Sequence, residues 1–241
     1  MQGQRFMILS SPRCGTHMLR TSLNMHPDID AHTEMFNPDW TKDHPFDENT
    51  PEETILNEHI FKGYDPDKGA SGFILHRSGA RFGNWPRLWK QLEEDTDLHV
   101  ISLYRHNLLE RYISYLTMKD RNRKIPLQPK HFPAKELQAE FERYEKELAS
   151  FDQRFAKHPM MKVSYEELCS DYEAVLTRIQ VFLGVRARSL KPGTVQSESF
   201  SPQKAISNFE ELGEHFRNTR WAWFFKRKES FQSGATLSVE L

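Results

Sequence analysis

The stretch from Phe6 to Leu23, FMILSSPRCGTHMLRTSL, decides the fold class of this chain. It opens with a short apolar run typical of a buried strand, breaks at Ser-Ser-Pro-Arg-Cys-Gly-Thr, and continues as a helical pattern. A parallel strand that turns directly into a helix presents backbone N–H groups at the helix N-terminus, where the helix dipole adds partial positive charge. The stretch therefore predicts an anion-binding loop, although it lacks the GxxxxGK[ST] pattern of nucleotide-binding P-loops.

The side chains of this loop suit the oxygens of a phosphate or a sulfate. Arg13 offers a charged, forked donor, Thr16 a hydroxyl, and His17 an imidazole N–H. Gly15 permits a close approach of the backbone or unusual dihedral angles. For this stretch taken alone, an ordinary strand-to-helix turn with an incidental arginine is the alternative interpretation.

The remainder of the chain alternates strand and helix patterns. Further apolar runs that predict strands are Gly72–His76, Leu98–Leu103 and Met160–Val163. Helical patterns cover Leu19–Met25, Trp85–Leu92, Leu108–Met118, Ala134–Phe155 and Tyr172–Phe182, and Gly184 is placed to end the last of them. This alternation predicts one P-loop-like α/β domain over residues 1–241, with a central parallel sheet and helices on both of its faces.

Composition and charge restrict the class of protein. The chain has 33 Lys and Arg residues against 34 Asp and Glu residues, which argues against a nucleic-acid-coating protein and makes any anion site a local cluster. No apolar run approaches the ~20 residues of a membrane helix, and the N-terminus lacks the apolar region of a signal peptide. Cys14 and Cys169 offer neither a disulfide framework nor zinc spacing. We therefore expect a cytoplasmic protein without an integral membrane segment.

Two stretches depart from the average composition. Pro38–Lys68 carries nine acidic residues against three lysines, and Lys119–Lys130 carries five basic residues against one aspartate. Each is interpreted either as a solvated surface or as part of a site. In the second interpretation, residues 38–70 form a loop-rich insertion over an acceptor pocket, and the basic run forms part of the rim of an anion site.

A second candidate constellation lies in VISLYRHNLLERYISYL, Val100 to Leu116. Arg105 falls at the C-terminal end of a predicted strand, the place where open α/β sheets bind ligands. Ser114 follows nine residues later on the next helix, so the two side chains can converge on one phosphate. Arginine and serine are common, and this spacing alone is a weak signal; Arg111 on the same helix is open to a surface role.

Together these stretches resemble the sulfotransferases that use 3′-phosphoadenosine 5′-phosphosulfate (PAPS), most closely the bacterial carbohydrate sulfotransferases of the trehalose and nodulation-factor type. SSPRCGTHML is similar to their 5′-phosphosulfate loop, and YRHNLLERYIS to their 3′-phosphate motif. Further similar segments are LNMHPDIDAHTEMFN, KVSYEELCSDYEAVLTRIQVFLGV, and AISNFEEL followed by NTRWAWFF. The order and spacing of these segments from Phe6 to Phe225 make the resemblance specific.

The resemblance implies in-line transfer of a sulfuryl group from PAPS to a hydroxyl, on a carbohydrate or glycolipid, without a metal ion. It implies a loop around the 5′-phosphosulfate made of Arg13, Cys14, Gly15, Thr16 and His17, with Arg13 and His17 also assisting catalysis. It further implies that Arg105 and Ser114 hold the 3′-phosphate and that Tyr165 lies against the adenine, although Tyr165 is equally open to a role as a core aromatic residue.

The loop departs from the family pattern at several positions. Cys14 replaces a serine, so only its backbone N–H is expected to bind the donor, and His17 replaces a threonine. Ile74 stands where relatives often carry a lysine. Without that lysine, Arg13 is expected to contribute more to stabilising the oxygen that bridges the phosphate and the sulfuryl group.

The reaction needs a general base to take the proton of the acceptor hydroxyl. Glu34, in HTEMFN, matches the glutamate that serves as the base in the trehalose enzyme. His32 and His76 are the alternatives, and a helix cap or a surface charge is the structural alternative for Glu34.

Candidate site residues with weaker support lie elsewhere in the chain. From the C-terminal segment, residues 190–241, three cations are candidates for closing over the 3′-phosphate, or else are surface charges: Lys204, Arg217 and Arg220. Aromatic side chains proposed to face the acceptor are Trp40, His44 and Trp85, whereas those expected in the core are Trp221, Trp223, Phe224 and Phe225. A P-loop nucleotide kinase and a non-catalytic nucleotide- or glycan-binding protein are the alternatives to an enzyme of this family.

Overall fold

A five-stranded parallel sheet forms the centre of the protein. The computed structural model describes residues 4–37, 44–61, 69–79, 85–191 and 201–226. The strands are β1 (Gln4–Ser10), β2 (Ile29–His32), β3 (Ala70–His76), β4 (His99–Tyr104) and β5 (Met160–Ser164), in the spatial order β2-β3-β1-β4-β5. The predicted central parallel sheet is confirmed.

The helices connect these strands and fall close to the predicted patterns. They are α1 (Thr16–Leu23), α2 (Glu52–Thr54), α3 (Leu88–Glu94), α4 (Leu108–Asn122), α5 (Ala134–Arg154), α6 (Tyr165–Ser170), α7 (Tyr172–Phe182), α8 (Pro202–Ala205) and α9 (Phe209–Phe216). A π-helical turn, Ile55–Ile60, continues α2, and a 3₁₀ turn follows α9 at Ala222–Phe225. Gly184 follows α7 with a φ of +70°, and its N–H bonds to the carbonyl of Val181, as expected of a residue that ends a helix.

Strand β1 is buried on both faces, which explains its unbroken apolar sequence. Phe6 and Ile8 pack into one hydrophobic cluster, and Met7 and Leu9 pack into a second. Helices α1, α4 and α7 contribute to the first cluster, and α3 and the π-helical turn contribute to the second. Both faces of the sheet are therefore covered by helices, as predicted.

Strand β2 was not predicted from the sequence. It is four residues long, it lies at one edge of the sheet, and it pairs in parallel with β3 from Ile29–Ala70 to His32–Phe73. Asp30 and His32 are only partly buried, and a polar residue at every second position of so short a segment leaves no apolar run to recognise.

The acidic insertion is less loop-rich than its sequence suggests. Its described part, residues 44–61, contains α2 and the π-helical turn, and Ile55, Leu56 and Ile60 are buried in the second core cluster. The predicted limit at residue 70 is also too late, because Ala70 already belongs to β3. The apolar positions of this segment thus anchor it to the sheet.

Two of the aromatic predictions are wrong. Trp85 was expected to face an acceptor, but it is 1% exposed, packs edge-on against Phe36 and donates its indole N–H to the carbonyl of Thr50. Trp223 was expected in the core, but it is 44% exposed. The other C-terminal aromatics, Trp221, Phe224 and Phe225, are buried as predicted, and Trp40 lies outside the described residues.

The strand order places the candidate loop at a crevice. β1 lies between β3 and β4, so the chain leaves β1 towards one side of the sheet and later returns to its other side. Ligands of open α/β sheets bind at the C-terminal ends of strands around such a switch point. The loop after β1 and the residues that follow β3 and β4 therefore meet at the C-terminal ends of the strands.

The turn from β1 into α1 depends on a glycine. Gly15 caps α1 with a φ of +92°, and a Cβ added there would lie 2.8 Å from Cδ2 of Tyr165. At Gly184 the φ is +70°, but an added Cβ would meet no atom within 4 Å. The first glycine is thus required by both backbone and packing, and the second by backbone alone.

We expect Gly15→Ala to destabilise the protein more than Gly184→Ala. Both substitutions place a side chain in the left-handed region, at roughly 1–2 kcal/mol. Only Gly15→Ala adds a steric overlap with Tyr165, at about 1–3 kcal/mol more. Thermal unfolding should show a difference in Tm of several degrees between the two variants, given about 2–4 °C per kcal/mol for a chain of this size. Equal Tm values would contradict the packing of Tyr165 against the loop.

Candidate active site

Arg13 joins the loop after β1 to helix α4. Its backbone has a φ of +73°, which is unusual for a residue other than glycine, and its Nε donates to Oγ of Ser114 at 2.9 Å. Backbone conformations of this kind cost energy and concentrate at functional sites. The structure therefore brings together one side chain from each of the two stretches singled out in the sequence.

Arg105 is buried beside the same loop, directly after β4. Its guanidinium carbon lies 4.5 Å from the ring centroid of Tyr165, and its Nη2 donates to Oε2 of Glu110 at 2.6 Å. Its Nε lies 4.0 Å from a carboxylate oxygen of Glu166. Burial, followed by a hydrogen bond with Cys169, raises the pKa of Tyr165 to about 12. Tyr165 thus stays neutral and presents its ring to both the loop and Arg105.

Two arginines share this small region. Burial lowers the pKa of Arg13, and the nearby charge of Arg105 lowers that pKa further, with a smaller effect from Arg121 in the last turn of α4. Like charges held together at a partly buried place favour the binding of an anion that neutralises them. We refer to Arg13, Arg105 and Ser114 as the anion cluster.

The other loop residues differ in what they can offer to a ligand. The Cys14 side chain is fully buried, and its Sγ lies 3.5 Å from the hydroxyl of Tyr144 in the core. Only the backbone N–H of Cys14 is therefore available at the loop. Thr16 begins α1 and is 4% exposed, whereas the side chain of His17 is 45% exposed.

Glu34 lies among donors that come from different elements. Its Oε1 is 2.9 Å from Nε2 of His76, the last residue of β3, and 3.7 Å from Nε2 of His17 in the first turn of α1. Asn37 donates to its other oxygen at 2.8 Å. Burial raises the pKa of Glu34, but its polar contacts with His17, His76 and Asn37, with the charge of His76, outweigh burial and hold that pKa well below its usual range.

We refer to these four residues as the Glu34 cluster. In this cluster the predicted base, Glu34, directly contacts His76, which is one of the two alternative bases. The second alternative, His32, has different partners: its Nε2 is 3.6 Å from Oδ2 of Asp30, and its ring bonds to the backbone of Ile60.

Two buried arginines support the site and were not identified from the sequence as parts of it. Arg77 follows His76, is 1% exposed, and donates to Ser102 at 3.0 Å and to Ser11 at 3.4 Å, which ties the start of the loop to β4. Arg111 is 5% exposed, so a surface role for it is wrong. Its Nη2 donates to Glu140 at 2.9 Å, which links α4 to α5.

The C-terminal cations are engaged with neighbouring carboxylates or exposed. Arg217 pairs with Glu214 at 3.0 Å, and Arg220 pairs with Glu145 of α5. Lys204 is exposed on α8. Residues 192–200 and 227–241, which the predicted closing segment includes, lie outside the described residues.

Comparison with known proteins identifies the family. The profile of the sulfotransferase domain matches residues 4–221. Nodulation protein H of Rhizobium tropici is 29% identical over 238 residues, covering 92% of each chain. Nodulation protein H of Rhizobium meliloti (strain 1021) is 26% identical over 242 residues, covering 92% of this chain and 95% of that protein.

A solved structure shares the fold. The sulfotransferase from Alicyclobacillus acidocaldarius has a TM-score of 0.50 at 16% identity, covering 95% of this chain and 98% of the other. With the profile match over most of its length, the chain belongs to the sulfotransferase family and is an enzyme of that class. The predicted family is confirmed.

The described residues include neither a membrane-spanning helix nor a cluster of metal ligands. None of their helices is both long and apolar enough to cross a membrane. Within the same residues, no group of three or more His, Cys, Asp or Glu side chains is arranged to hold a metal ion.

The low pKa of Glu34 predicts a pH-dependent contribution to stability. Because its folded-state pKa lies below the unfolded value, the ionised carboxylate stabilises the fold above about pH 4.5, and this stabilisation is lost as the pH falls towards the folded pKa. We expect Glu34→Gln to lower the free energy of unfolding by about 1–3 kcal/mol near neutral pH. The deficit should shrink towards about pH 3.5 in urea titrations.

The matched control is Glu214→Gln, which removes an exposed carboxylate paired with Arg217. An exposed pair contributes little, so this variant should unfold like the wild type at both pH values. A deficit of Glu34→Gln that is independent of pH would contradict the ionised cluster.

Proposed function

We propose that this sulfotransferase binds PAPS at the anion cluster and transfers its sulfuryl group to an acceptor hydroxyl beside Glu34. The observation that carries the proposal is that α1 links the two clusters. Arg13 precedes this helix and bonds to Ser114, and His17 in its first turn reaches Glu34. Binding of the donor and removal of the proton are thereby assigned to adjacent parts of one crevice.

The donor-binding residues follow from the charges and donors present. The backbone N–H groups of the loop and the Arg13 guanidinium are proposed to bind the 5′-phosphosulfate, as at other helix N-termini. Arg105 and Ser114 are proposed for the 3′-phosphate, which would compete with Glu110 for the Arg105 guanidinium. Tyr165 is partly exposed beside Arg105, and contact with the adenine is assigned to it.

The chemistry is an in-line displacement at sulfur. The acceptor oxygen forms a bond to sulfur while the bond from sulfur to the bridging oxygen breaks, which leaves adenosine 3′,5′-bisphosphate. The acceptor proton passes to the Glu34 carboxylate. Arg13 and His17 donate to the oxygens where negative charge develops, as preorganised donors do in other group-transfer sites.

The hydrogen bonds of Glu34 suggest how its basicity is regulated. Its depressed pKa keeps the carboxylate ionised and able to accept a proton, but it also makes the carboxylate a weak base. His17 is the most exposed and most distant of its histidine partners, at 3.7 Å. A His17 side chain that turns towards the sulfuryl group would remove one polar contact from Glu34 and thus raise the pKa of Glu34.

The remaining assignments rest on resemblance or on composition. A carbohydrate or glycolipid acceptor follows from the resemblance to bacterial carbohydrate sulfotransferases and agrees with the nodulation relatives. The proposal also includes catalysis without a metal ion. It assigns the acidic insertion to cover the acceptor and residues 190–241 to cover the donor. Cys14 and Cys169 are free thiols, which fits a reducing cytoplasm.

The donor site is tested by calorimetric titration with adenosine 3′,5′-bisphosphate. We expect the wild type to bind in the micromolar range, roughly −8 kcal/mol. Arg105→Met should weaken binding about 10- to 100-fold, because it removes a charge-assisted contact. Arg5→Met is the control, since Arg5 lies at the opposite end of β1 and pairs with Asp95. Wild-type affinity in Arg105→Met would contradict the assigned 3′-phosphate site.

The base is tested by turnover. Glu34→Gln should lower kcat about 10²–10⁴-fold, the usual contribution of a general base, while the affinity for adenosine 3′,5′-bisphosphate stays within about twofold. His76→Gln distinguishes the alternative, because a supporting donor should cost less than the base itself. Loss of more activity in His76→Gln than in Glu34→Gln would transfer the role of the base to His76.

A further inference from the structure

The side chain of Arg77 lies beneath the loop that follows β1. This residue comes directly after β3, and its backbone N–H bonds to the last carbonyl of β1 at 2.7 Å, which extends the pairing of the two strands. Because side chains alternate along a strand, Arg77 is directed to the face opposite His76. Its guanidinium crosses β1 and donates to Ser102 of β4 at 3.0 Å and to Ser11 of the loop at 3.4 Å. The end of β3 therefore supplies one residue to the Glu34 cluster and the next residue to the loop.

The charge of Arg77 is buried and has no ion-pair partner within the described part of the chain. The residue is 1% exposed, and a guanidinium stays protonated in proteins. Its two terminal nitrogens bond to neutral hydroxyls, and its Nε has no hydrogen-bond partner among the described residues. By contrast, the buried Arg111 is paired with Glu140 at 2.9 Å. An unpaired buried charge is costly, which indicates that an opposite charge offsets it when the site is occupied.

One carboxylate is joined to Arg77 indirectly, through Ser11. The Ser11 hydroxyl accepts from Arg77 and donates to Glu147 of α5 at 3.3 Å. Glu147 is partly exposed, so water screens its charge more than it screens the buried guanidinium. The net charge that this chain of hydrogen bonds presents to the loop is therefore positive.

The charge of Arg77 also reaches the middle of the loop. Burial, followed by the neighbouring Cys14, raises the pKa of Tyr144, and the charge of Arg77 is the largest influence that opposes this rise. The Tyr144 hydroxyl lies 3.5 Å from Sγ of Cys14. Arg77 thus acts on the loop at Ser11 through a hydrogen bond and near Cys14 through its electric field.

We propose that Arg77 is a positioning residue for the donor, which holds a positive charge behind the loop while the 5′-phosphosulfate binds in front of it. Because Arg77 is buried, it acts through Ser11 and through its charge, without touching the donor. As the bond from sulfur to the bridging oxygen breaks, negative charge develops on the 5′-phosphate, and the fixed charge of Arg77 stabilises it. This inference rests on the proposed function, since it concerns the donor of that same reaction.

The test compares the binding of adenosine 3′-monophosphate and adenosine 3′,5′-bisphosphate by calorimetry. The dissociation constant of the first divided by that of the second measures the contribution of the 5′-phosphate alone. We expect Arg77→Gln to lower this ratio about tenfold, while its affinity for the 3′-monophosphate stays within about twofold of the wild type. Arg77→Lys retains the charge and should keep the ratio within about threefold. Arg5→Met, at the opposite end of β1, is the control and should bind both nucleotides like the wild type.

A second variant changes the charge in the opposite direction. Glu147→Gln removes the carboxylate joined to Arg77, but its amide oxygen can still accept from Ser11, so we expect the ratio to rise about two- to threefold. A purely structural role of these hydrogen bonds predicts no such rise. Circular dichroism spectra establish that each variant is folded, and Glu147→Gln tests the inference even if Arg77→Gln does not fold.

The outcomes separate this inference from the proposed function. A wild-type ratio in Arg77→Gln, an equal loss in Arg77→Lys and Arg77→Gln, or a ratio that does not rise in Glu147→Gln overturns the role of the Arg77 charge alone. Equal losses of affinity for both nucleotides in Arg77→Gln overturn that role as well. Absence of bisphosphate binding by the folded wild type overturns the proposed function.

Discussion

The ring of Tyr165 is the contact on which the arrangement of the site depends. It leaves no room for a Cβ at Gly15, at 2.8 Å, and the Arg105 guanidinium lies 4.5 Å above its face. These residues follow three neighbouring strands, β1, β4 and β5, so one aromatic ring fixes the relative positions of three strand ends. The left-handed backbone of the loop is sustained by this packing and by the Arg13–Ser114 bond.

In the proposed function, the two clusters divide the chemistry between charge neutralisation and proton transfer. Arg13 and Arg105 concentrate positive charge where the chain already offers backbone N–H groups, and the cost of bringing like charges together is offset when an anion binds. Glu34 retains its negative charge because His76 and Asn37 donate to it and His17 lies nearby. A site that is positive where the donor is proposed to bind and negative at the proposed base suits sulfuryl transfer.

Local sequence patterns predicted the strand-to-helix loop, four of the strands, and the residues Arg13, Arg105 and Ser114. These patterns did not predict the contact of Glu34 with His76. That contact depends on the pairing of β2 with β3, and β2 has no apolar run by which it can be recognised. Trp85 and Arg111 were misplaced for a related reason. Sequence gives the type of a side chain, but burial of an indole beneath Phe36 or of a guanidinium over Tyr144 is decided by tertiary packing.

The central claim is that the crevice binds both the 5′-phosphosulfate and the 3′-phosphate of the donor. The most direct test compares the binding of two nucleotides to the wild-type enzyme. Calorimetry with adenosine 3′,5′-bisphosphate and with adenosine 5′-monophosphate measures the contribution of the 3′-phosphate alone. A site formed by Arg105, Ser114 and the loop predicts micromolar binding of the bisphosphate and about 100-fold weaker binding of the monophosphate, roughly 2.7 kcal/mol. Equal affinities would contradict the assignment of Arg105 and Ser114 and, with it, the proposed orientation of the donor.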